Sequence, residues 1–184
     1  MDTLIYLDVS FIATKYEEAT GVVADAEFSR AEGGKADIGI GFMKGGVHTQ
    51  ETLKFKKSSV GMLSKLLPKL KNRYEELDLH AFKNYEGTRI QWIKGLMSIQ
   101  SWANPKEPES KYDYYGVTVG DIRVALVSEL GYFVSGFGNV IDTSDALIAN
   151  VGIPVRALIK VLWRVEATKE LVSVPYVILE ETLE

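Results

Sequence analysis

Hydrophobic and polar residues alternate through most of this chain, which is the pattern of β-strands that bury one face. The alternation predicts strands over residues 22–28, 36–42, 47–55, 89–103, 155–165 and 171–179. Residues 3–9 also predict a strand, one too uniformly apolar for an exposed edge, and residues 117–119 and 122–127 are strand-like. Gly33-Gly34 and Gly45-Gly46 supply turns between the three strands that lie from residue 22 to residue 55. We therefore expect an antiparallel meander in that part of the chain.

One segment breaks the alternation and has helical spacing instead. Residues 58–79, SSVGMLSKLLPKLKNRYEELDL, place apolar side chains three and four positions apart at Met62, Leu63, Leu66, Leu67, Leu70, Tyr74 and Leu77. A stripe of this kind lets an α-helix bury one face. We expect this long amphipathic helix to be the element around which the sheet packs, with Leu66 and Leu70 at the centre of the core.

Two shorter helices are predicted at residues 10–20 and 143–150, and Gly21 is suited to end the first of them. Asp8 precedes the first helix and has two interpretations. It is either a helix N-cap that accepts backbone N–H bonds, which we favour, or a partly buried carboxylate with a raised pKa.

The last two strands predict a hairpin that turns at residues 166–170. In the first of these strands, Val161 and Trp163 fall on the same face, opposite the basic residues. A helix over residues 155–165 is the competing interpretation, but the many β-branched residues favour a strand. Pro175 in the returning strand predicts a sheet edge or a bulge, because proline cannot donate to the strand ladder.

Residues 104–111, NPKEPESK, form the clearest interruption of the pattern. Two prolines and a charge cluster predict an exposed loop that divides two halves of the sheet. A chain of 184 residues is long enough for one well-packed core and short for two, so we expect one domain over residues 1–184. The predicted fold class is α+β: a curved, mostly antiparallel sheet packed around the helix at residues 58–79, with two shorter helices.

Composition narrows the function classes. The chain contains no Cys, which excludes a disulfide framework, a thiol nucleophile and a zinc finger built on cysteines. Its first residues, MDTLIYLDVS, lack a basic region and place Asp8 inside the apolar run, unlike a signal peptide. No apolar segment approaches the roughly 20 residues that a membrane span needs. We expect a cytosolic globular protein with no membrane span.

The charge distribution supplies one candidate site. The net charge is −4, yet residues 52–74 hold seven basic residues and no acidic one. Lys65, Lys69 and Arg73 stand four apart and form a row along one flank of the predicted helix. Such a row could hold an anionic ligand, a nucleic-acid backbone or a membrane surface, or it could be a solvated helix flank. We take as candidate anion-binding residues Lys65, Lys69, Arg73, Lys54, Lys56 and Lys57.

The remaining sequence motifs give little support for a functional site. Gly39, Gly41 and Gly45 do not fit either G-x-G-x-x-G or a Walker loop, and the strand pattern continues after them. The two histidines, His48 and His80, have no metal-ligand spacing, and G-x-S-x-G is absent. The sequence therefore predicts no catalytic residue, no metal and no cofactor.

Both ends of the chain carry a family resemblance. The opening YLDVSFIATKY, followed by a glycine, and the closing GIPVRALIKVLWRV resemble a group of uncharacterised bacterial proteins that open with a Tyr-Leu-Asp strand and close on a β-strand after a short helix. The resemblance covers only these two segments. It implies a bacterial cytosolic α+β protein and transfers no catalytic residue, because the group has no known function.

Together these features predict a non-enzymatic binding or regulatory module that recognises an anionic small molecule or a partner protein. One alternative is an enzyme that acts on a nucleotide or phosphorylated substrate. The other is a structural protein that self-assembles into a homo-oligomer through its sheet edges. The acidic net charge argues against a nucleic-acid partner, since phosphate neutralisation supplies most of that affinity.

Overall fold

The computed structural model of the protein describes residues 3–22, 57–78, 88–104, 107–134, 137, 151–165 and 170–181. Within these ranges lie two α-helices, six strands and a short 3-10 turn: β1 (Leu4–Leu7), α1 (Val9–Thr20), α2 (Lys57–Arg73), β2 (Arg89–Asn104), β3 (Glu107–Val119), β4 (Ile122–Leu126), the 3-10 turn (Leu130–Tyr132), β5 (Ile153–Val165) and β6 (Glu170–Glu180). The meander predicted between residues 22 and 55 and the helix predicted at 143–150 lie outside the described residues, as do His48 and His80.

The six strands form one sheet that closes on itself. Their order is β1-β6-β4-β3-β2-β5, and a further pairing of β6 with β5 completes a five-stranded barrel from β2 to β6. Every pairing is antiparallel except that of β4 with β6. The predicted α+β class and the curved, mostly antiparallel sheet are therefore confirmed, while the closure into a barrel is new.

The inward faces of the strands make the main core. Alternate residues of each strand fill the barrel, among them Ile93, Met97, Val117, Val124, Leu126, Ala157, Ile159 and Leu171, all of them 3% exposed or less. Gly95 lies within this alternation, and a Cβ there would collide with the carbonyl group of Thr118 on β3. Glycine therefore permits the two strands to approach closely where β2 curves around the barrel.

The expectation of one long helix at the centre of the fold is wrong. Helix α2 ends at Arg73 rather than at residue 79, and the backbone of the next residues bonds to β2 instead. Leu77 donates its N–H to the carbonyl of Trp92 at 2.7 Å, and Trp92 donates to the carbonyl of Glu75 at 2.9 Å. Because the barrel is closed, its centre is filled by the strands' own side chains, and the helix has no place inside it.

The two helices pack side by side on the outside of the barrel and bury a second cluster there. This cluster joins Ile12 of α1 and Leu63, Leu66 and Leu70 of α2 to outward-facing residues of four strands, among them Leu7, Trp92, Leu158, Val177 and Leu179. Leu66 and Leu70 are each 3% exposed, so they are buried as predicted, but in this outer layer rather than in the barrel core.

Two bulges shift the register between the strands of the final hairpin, one on β6 and one on β5. The predicted hairpin is confirmed: residues 155–165 are strand, not helix. Leu158 pairs with Val177 and Ile159 pairs with Pro175, so Tyr176 is an extra residue on β6. The bulge predicted from Pro175 is therefore confirmed, but the edge alternative is not, because β6 has partners on both sides.

The loop predicted over residues 104–111 includes residues that belong to a strand in the structure. Strand β3 begins at Glu107, and Ala103 pairs with Lys111 while Asn104 pairs with Glu107 across a register shift. Residues 107–111 thus belong to β3 despite Pro108, and the register shift accommodates the interruption. The predicted single domain stays a prediction. In the described part of the chain, no helix is both long and apolar enough to cross a membrane.

Candidate functional site

A cleft between the two helices gathers part of the predicted basic row. This interhelix cleft has a volume of about 410 Å³ and is lined by Lys15, Ala19, Leu66, Lys69, Leu70, Asn72 and Arg73. Its buried side is apolar, because Leu66 and Leu70 also belong to the outer cluster. Its outer side carries three basic side chains, from Lys15 on α1 and from Lys69 and Arg73 on α2.

Helix α1 is held in place by well-formed ends. Asp8 caps its start: Phe11 donates its N–H to Oδ1 of Asp8 at 2.9 Å. Gly21 ends the helix with φ of 69°, in the left-handed region that favours glycine, and donates its N–H to the carbonyl of Glu17. These two ends fix where Lys15 and Ala19 lie relative to α2.

One carboxylate lies beside the basic side chains of the cleft. Nζ of Lys15 donates to both carboxylate oxygens of Glu18, at 2.9 and 2.7 Å, and Nη1 of Arg73 lies 3.7 Å from Oε2 of the same group. The hydrogen bond from Lys15, followed by the charges of Lys15 and Arg73, lowers the pKa of Glu18 below its usual value. Glu18 is therefore ionised at neutral pH and bridges the two helices.

Lys69 lies at the end of α1. Its Nζ donates to the carbonyl oxygen of Ala19 at 3.5 Å, at the limit of a hydrogen bond. The carbonyls in the last turn of a helix carry partial negative charge and favour a cation there. This contact directs the ammonium group into the space between the helices.

The remaining predicted residues are placed differently. Lys65 is absent from the cleft lining, and its Nζ lies 5.9 Å from the centre of the Tyr16 ring, within reach of a cation–π contact. Lys57 is the first residue of α2, more than two turns before the cleft. Lys54 and Lys56 lie outside the described residues. The structure thus brings Lys69 and Arg73 together and adds Lys15, which the sequence analysis missed.

Lys15 carried only a weak signal in the sequence. It precedes Glu18 by three positions, a spacing that permits an ion pair on a helix surface. Nothing local showed that this flank of α1 would face a helix that begins more than 40 residues later along the chain. The packing of α1 against α2 is a tertiary relationship.

Asp8 is both a helix N-cap and a carboxylate with a raised pKa, the two interpretations that its sequence position allowed. Its side chain is the N-cap of α1, which confirms the favoured interpretation. Burial raises its pKa, although the backbone N–H groups of Phe11 and Ser10 act in the opposite direction. Burial also raises the pKa of Glu129, with a smaller contribution from the charge of Asp8. The hydrogen bond to Phe11 gives Asp8 a structural role.

A second polar cluster lies where three strands meet. The hydroxyl of Tyr114 donates to Oε1 of Glu170 at 3.2 Å, and Nε of Arg123 lies 3.2 Å from the same oxygen. Burial, together with the charge of Glu170 and this hydrogen bond, raises the pKa of Tyr114 to about 12. Because Glu170 is 7% exposed and is paired with Arg123, the cluster ties β3, β4 and β6 together.

Comparisons with known proteins supply no relative. No protein family, no curated protein and no solved structure matches the chain. Among the residues that the structure describes, no three His, Asp or Glu side chains are grouped closely enough to hold a metal ion. The function of this protein must therefore be inferred from the arrangement of its own side chains.

The chemistry of the interhelix cleft follows from these contacts. Three cations and one carboxylate leave an excess of positive charge in a chain whose net charge is −4. The apolar floor lowers the local dielectric constant, which strengthens attraction between these cations and an anion. The arrangement is suited to binding a negatively charged group.

Proposed function

We propose that the protein is a binding module that takes up an anionic ligand in the interhelix cleft. The observation that carries the proposal is the convergence of Lys15, Lys69 and Arg73 on one concave space beside a single carboxylate, Glu18. We infer a regulatory or carrier role in the cytosol, where a chain without Cys requires no disulfide.

The existing contacts of these cations leave capacity for a ligand. Arg73 lies 3.7 Å from Glu18, beyond hydrogen-bond distance, so this contact uses none of its guanidinium donors. Lys69 uses one of its three donors on Ala19 in a long hydrogen bond. Exposed ion pairs stabilise a protein by only about 0–1 kcal/mol, so an anion can compete with Glu18 for its partners.

The geometry favours a small anion over the other functions. An enzyme that acts on a phosphorylated substrate needs a general base or nucleophile, and the lowered pKa of Glu18 makes that carboxylate a weak base. Self-assembly through sheet edges is disfavoured by the closed barrel. The outer edge of β1 is also occupied, because Tyr6 forms a bridge with Phe133. A partner protein would have to place an acidic side chain in the same cleft.

Charge reversal at single positions tests the proposal. Binding of inorganic pyrophosphate, ATP and citrate is measured by calorimetry and by thermal shift, with Lys69→Glu and Arg73→Glu compared with Lys71→Glu. Lys71 lies on the same helix but not in the cleft lining. We expect at least one of these anions to bind, with affinity falling as salt rises.

The two cleft variants and the control variant should differ in their affinity for the anion. Lys69→Glu and Arg73→Glu should each weaken binding about tenfold or more, which corresponds to about 1.4 kcal/mol, while Lys71→Glu should retain it. Equal weakening by all three variants would mean that only net charge matters. Binding that does not depend on salt, or no binding of any of the three anions, would refute the proposed site.

A further inference from the structure

A second cavity lies against the barrel, where β2 and β3 continue past the start of β5. It has a volume of about 200 Å³ and is lined by Met97, Ser98, Ile99, Tyr115, Phe137, Val151 and Ile153. We call it the barrel-end cavity. It shares no lining residue with the interhelix cleft, so any function it has is separate from the one proposed above.

One wall of this cavity is fixed by the strands. Met97, Ile99 and Tyr115 are 1%, 5% and 3% exposed, and Met97 pairs with Ile153 across β2 and β5. Their side chains belong to the barrel core, where close packing restricts movement. This wall therefore presents a preformed surface.

The opposite wall is held by hydrogen bonds. The hydroxyl of Tyr115 donates to the carbonyl of Phe137, and Phe137 donates its N–H to the carbonyl of Val134 at 3.1 Å. Phe137 is thereby tied to β3. Val151 is 45% exposed, whereas the other lining residues are buried or half-buried, and we therefore infer that the cavity opens beside Val151.

The lining determines the chemistry of an occupant. None of the lining residues is ionisable at neutral pH, and the Tyr115 hydroxyl already donates to Phe137. A charged molecule would lose its hydration here without a compensating partner. Apart from Ser98, the surface is aliphatic, aromatic and thioether, which favours dispersion contacts with an apolar molecule.

We propose that the barrel-end cavity binds a small uncharged apolar molecule, of the size of one aromatic ring or a short hydrocarbon chain. Apolar cavities of about 150 Å³ stay dry and take up benzene, so the volume is sufficient. The occupant lies against Met97 and Ile99, is bounded by Phe137, and enters past Val151. Its binding restores the dispersion contacts that the lining side chains lack in the empty cavity.

Benzyl alcohol and benzoate form a matched pair of probes for this proposal. They share a ring and differ in charge, and the methyl signals of Met97, Ile99 and Ile153 in an NMR spectrum report on the cavity itself. Benzyl alcohol should shift these signals in a saturable way and raise the melting temperature with its concentration. Benzoate should leave these signals unchanged, even if it binds as an anion at the interhelix cleft.

Val151→Trp fills the entrance, and Val127→Trp is its control, because Val127 is 56% exposed and is not part of the lining. Val151→Trp should weaken benzyl alcohol binding tenfold or more, while Val127→Trp should retain it. Absence of methyl shifts in the unmodified protein, equal shifts with benzoate, or undiminished binding by a folded Val151→Trp variant would each overturn the proposal. If the Val151→Trp variant fails to fold, the comparison of benzyl alcohol with benzoate on the unmodified protein still tests the proposal.

Discussion

The rings of Phe11 and Tyr176 stack face to face, with their centres 3.8 Å apart and their planes within 6° of parallel. Phe11 lies in the first turn of α1, and Tyr176 is the extra residue of the bulge in β6. The carbonyl of Tyr176 also accepts the N–H of Asp8 at 2.8 Å. One irregular position in the sheet therefore binds both the cap and the first turn of the helix that bears Lys15.

A double-mutant cycle measures this stacking. We expect Phe11→Leu and Tyr176→Leu to show a coupling free energy of about 0.5–1.5 kcal/mol in urea denaturation, because aromatic pairs contribute beyond the area they bury. Phe11→Leu combined with Tyr114→Phe is the control, since the two residues lie in separate contact networks and their effects should add. A coupling near zero for the first pair would show that the stack adds nothing to burial.

Asp8 should affect stability in two separable ways. Asp8→Ala removes the N-cap and should lower the free energy of unfolding by about 1 kcal/mol, whereas Asp8→Asn keeps an oxygen acceptor and should preserve the cap. Both effects are measured by urea denaturation at neutral pH. Equal losses in the two variants would mean that the charge of Asp8, rather than its hydrogen bond, matters for the helix.

The raised pKa of Asp8 also predicts the sign of a pH dependence. The ordinary value is 3.8, and the folded protein retains the proton at pH values where the unfolded chain has released it. The contribution of Asp8 to stability should therefore fall as pH rises from 3.8 through the folded pKa, and level off above it. Asp8→Asn should remove this component and leave that of Glu129, whose pKa is also raised. An opposite slope would contradict the role of burial.

Truncation of Leu66 or Leu70 should strongly destabilise the protein. Each is 3% exposed between the helices and the barrel, so Leu66→Ala and Leu70→Ala should each lower the free energy of unfolding by about 2–5 kcal/mol through the cavity they leave. Asn72→Ala, at an exposed position of the same helix, should change it by no more than about 0.5 kcal/mol. If the leucine variants lost as little as Asn72→Ala, the helix would not be packed on the barrel.

Trp163 and Trp92 should differ in their accessibility to acrylamide. Trp163 is 54% exposed, whereas Trp92 is 4% exposed and donates its indole N–H to the carbonyl of Leu70 at 3.1 Å. The third tryptophan, Trp102, has a side chain outside the described set, so the comparison is made in a Trp102→Phe background. In that background, Trp163→Phe should remove the readily quenched part of the tryptophan fluorescence, and Trp92→Phe should remove a protected part. Trp92→Phe should also cost about 1 kcal/mol of stability for the lost hydrogen bond. Readily quenched fluorescence that survives Trp163→Phe in the Trp102→Phe background would contradict this placement.

Trp163 shows what the sequence pattern reveals of the fold and where it stops. Alternation predicted the strand at residues 155–165 and placed Trp163 on the buried side with Val161. In the structure, Val161 pairs with Ser173 and Trp163 pairs with Val172, so Leu162 is an extra residue and the side chains beyond it change face. The sequence does not mark this bulge, because Val161, Leu162 and Trp163 are all apolar and a change of face among them breaks no alternation.

The candidate site was predictable to a similar extent. The four-residue spacing of Lys69 and Arg73 follows from helix geometry alone, and it correctly placed both on one flank. Lys15 required knowledge of which helix lies next to α2, and barrel closure required knowledge that β2 pairs with β5 and that β4 pairs with β6. Such pairings between distant segments depend on how all the elements pack together, which no local pattern encodes.

Strand β6 pairs with three others, namely β1, β4 and β5, and it is translated after every other described strand. Until the ribosome has produced it, the barrel cannot close and β1 lacks its principal partner. The contacts that complete the fold join Leu7 to Val177, and pairings between such distant residues form slowly. The nascent chain therefore carries unclosed apolar strands until β6 has been synthesised, and this is the stage at which we expect it to depend most on chaperones.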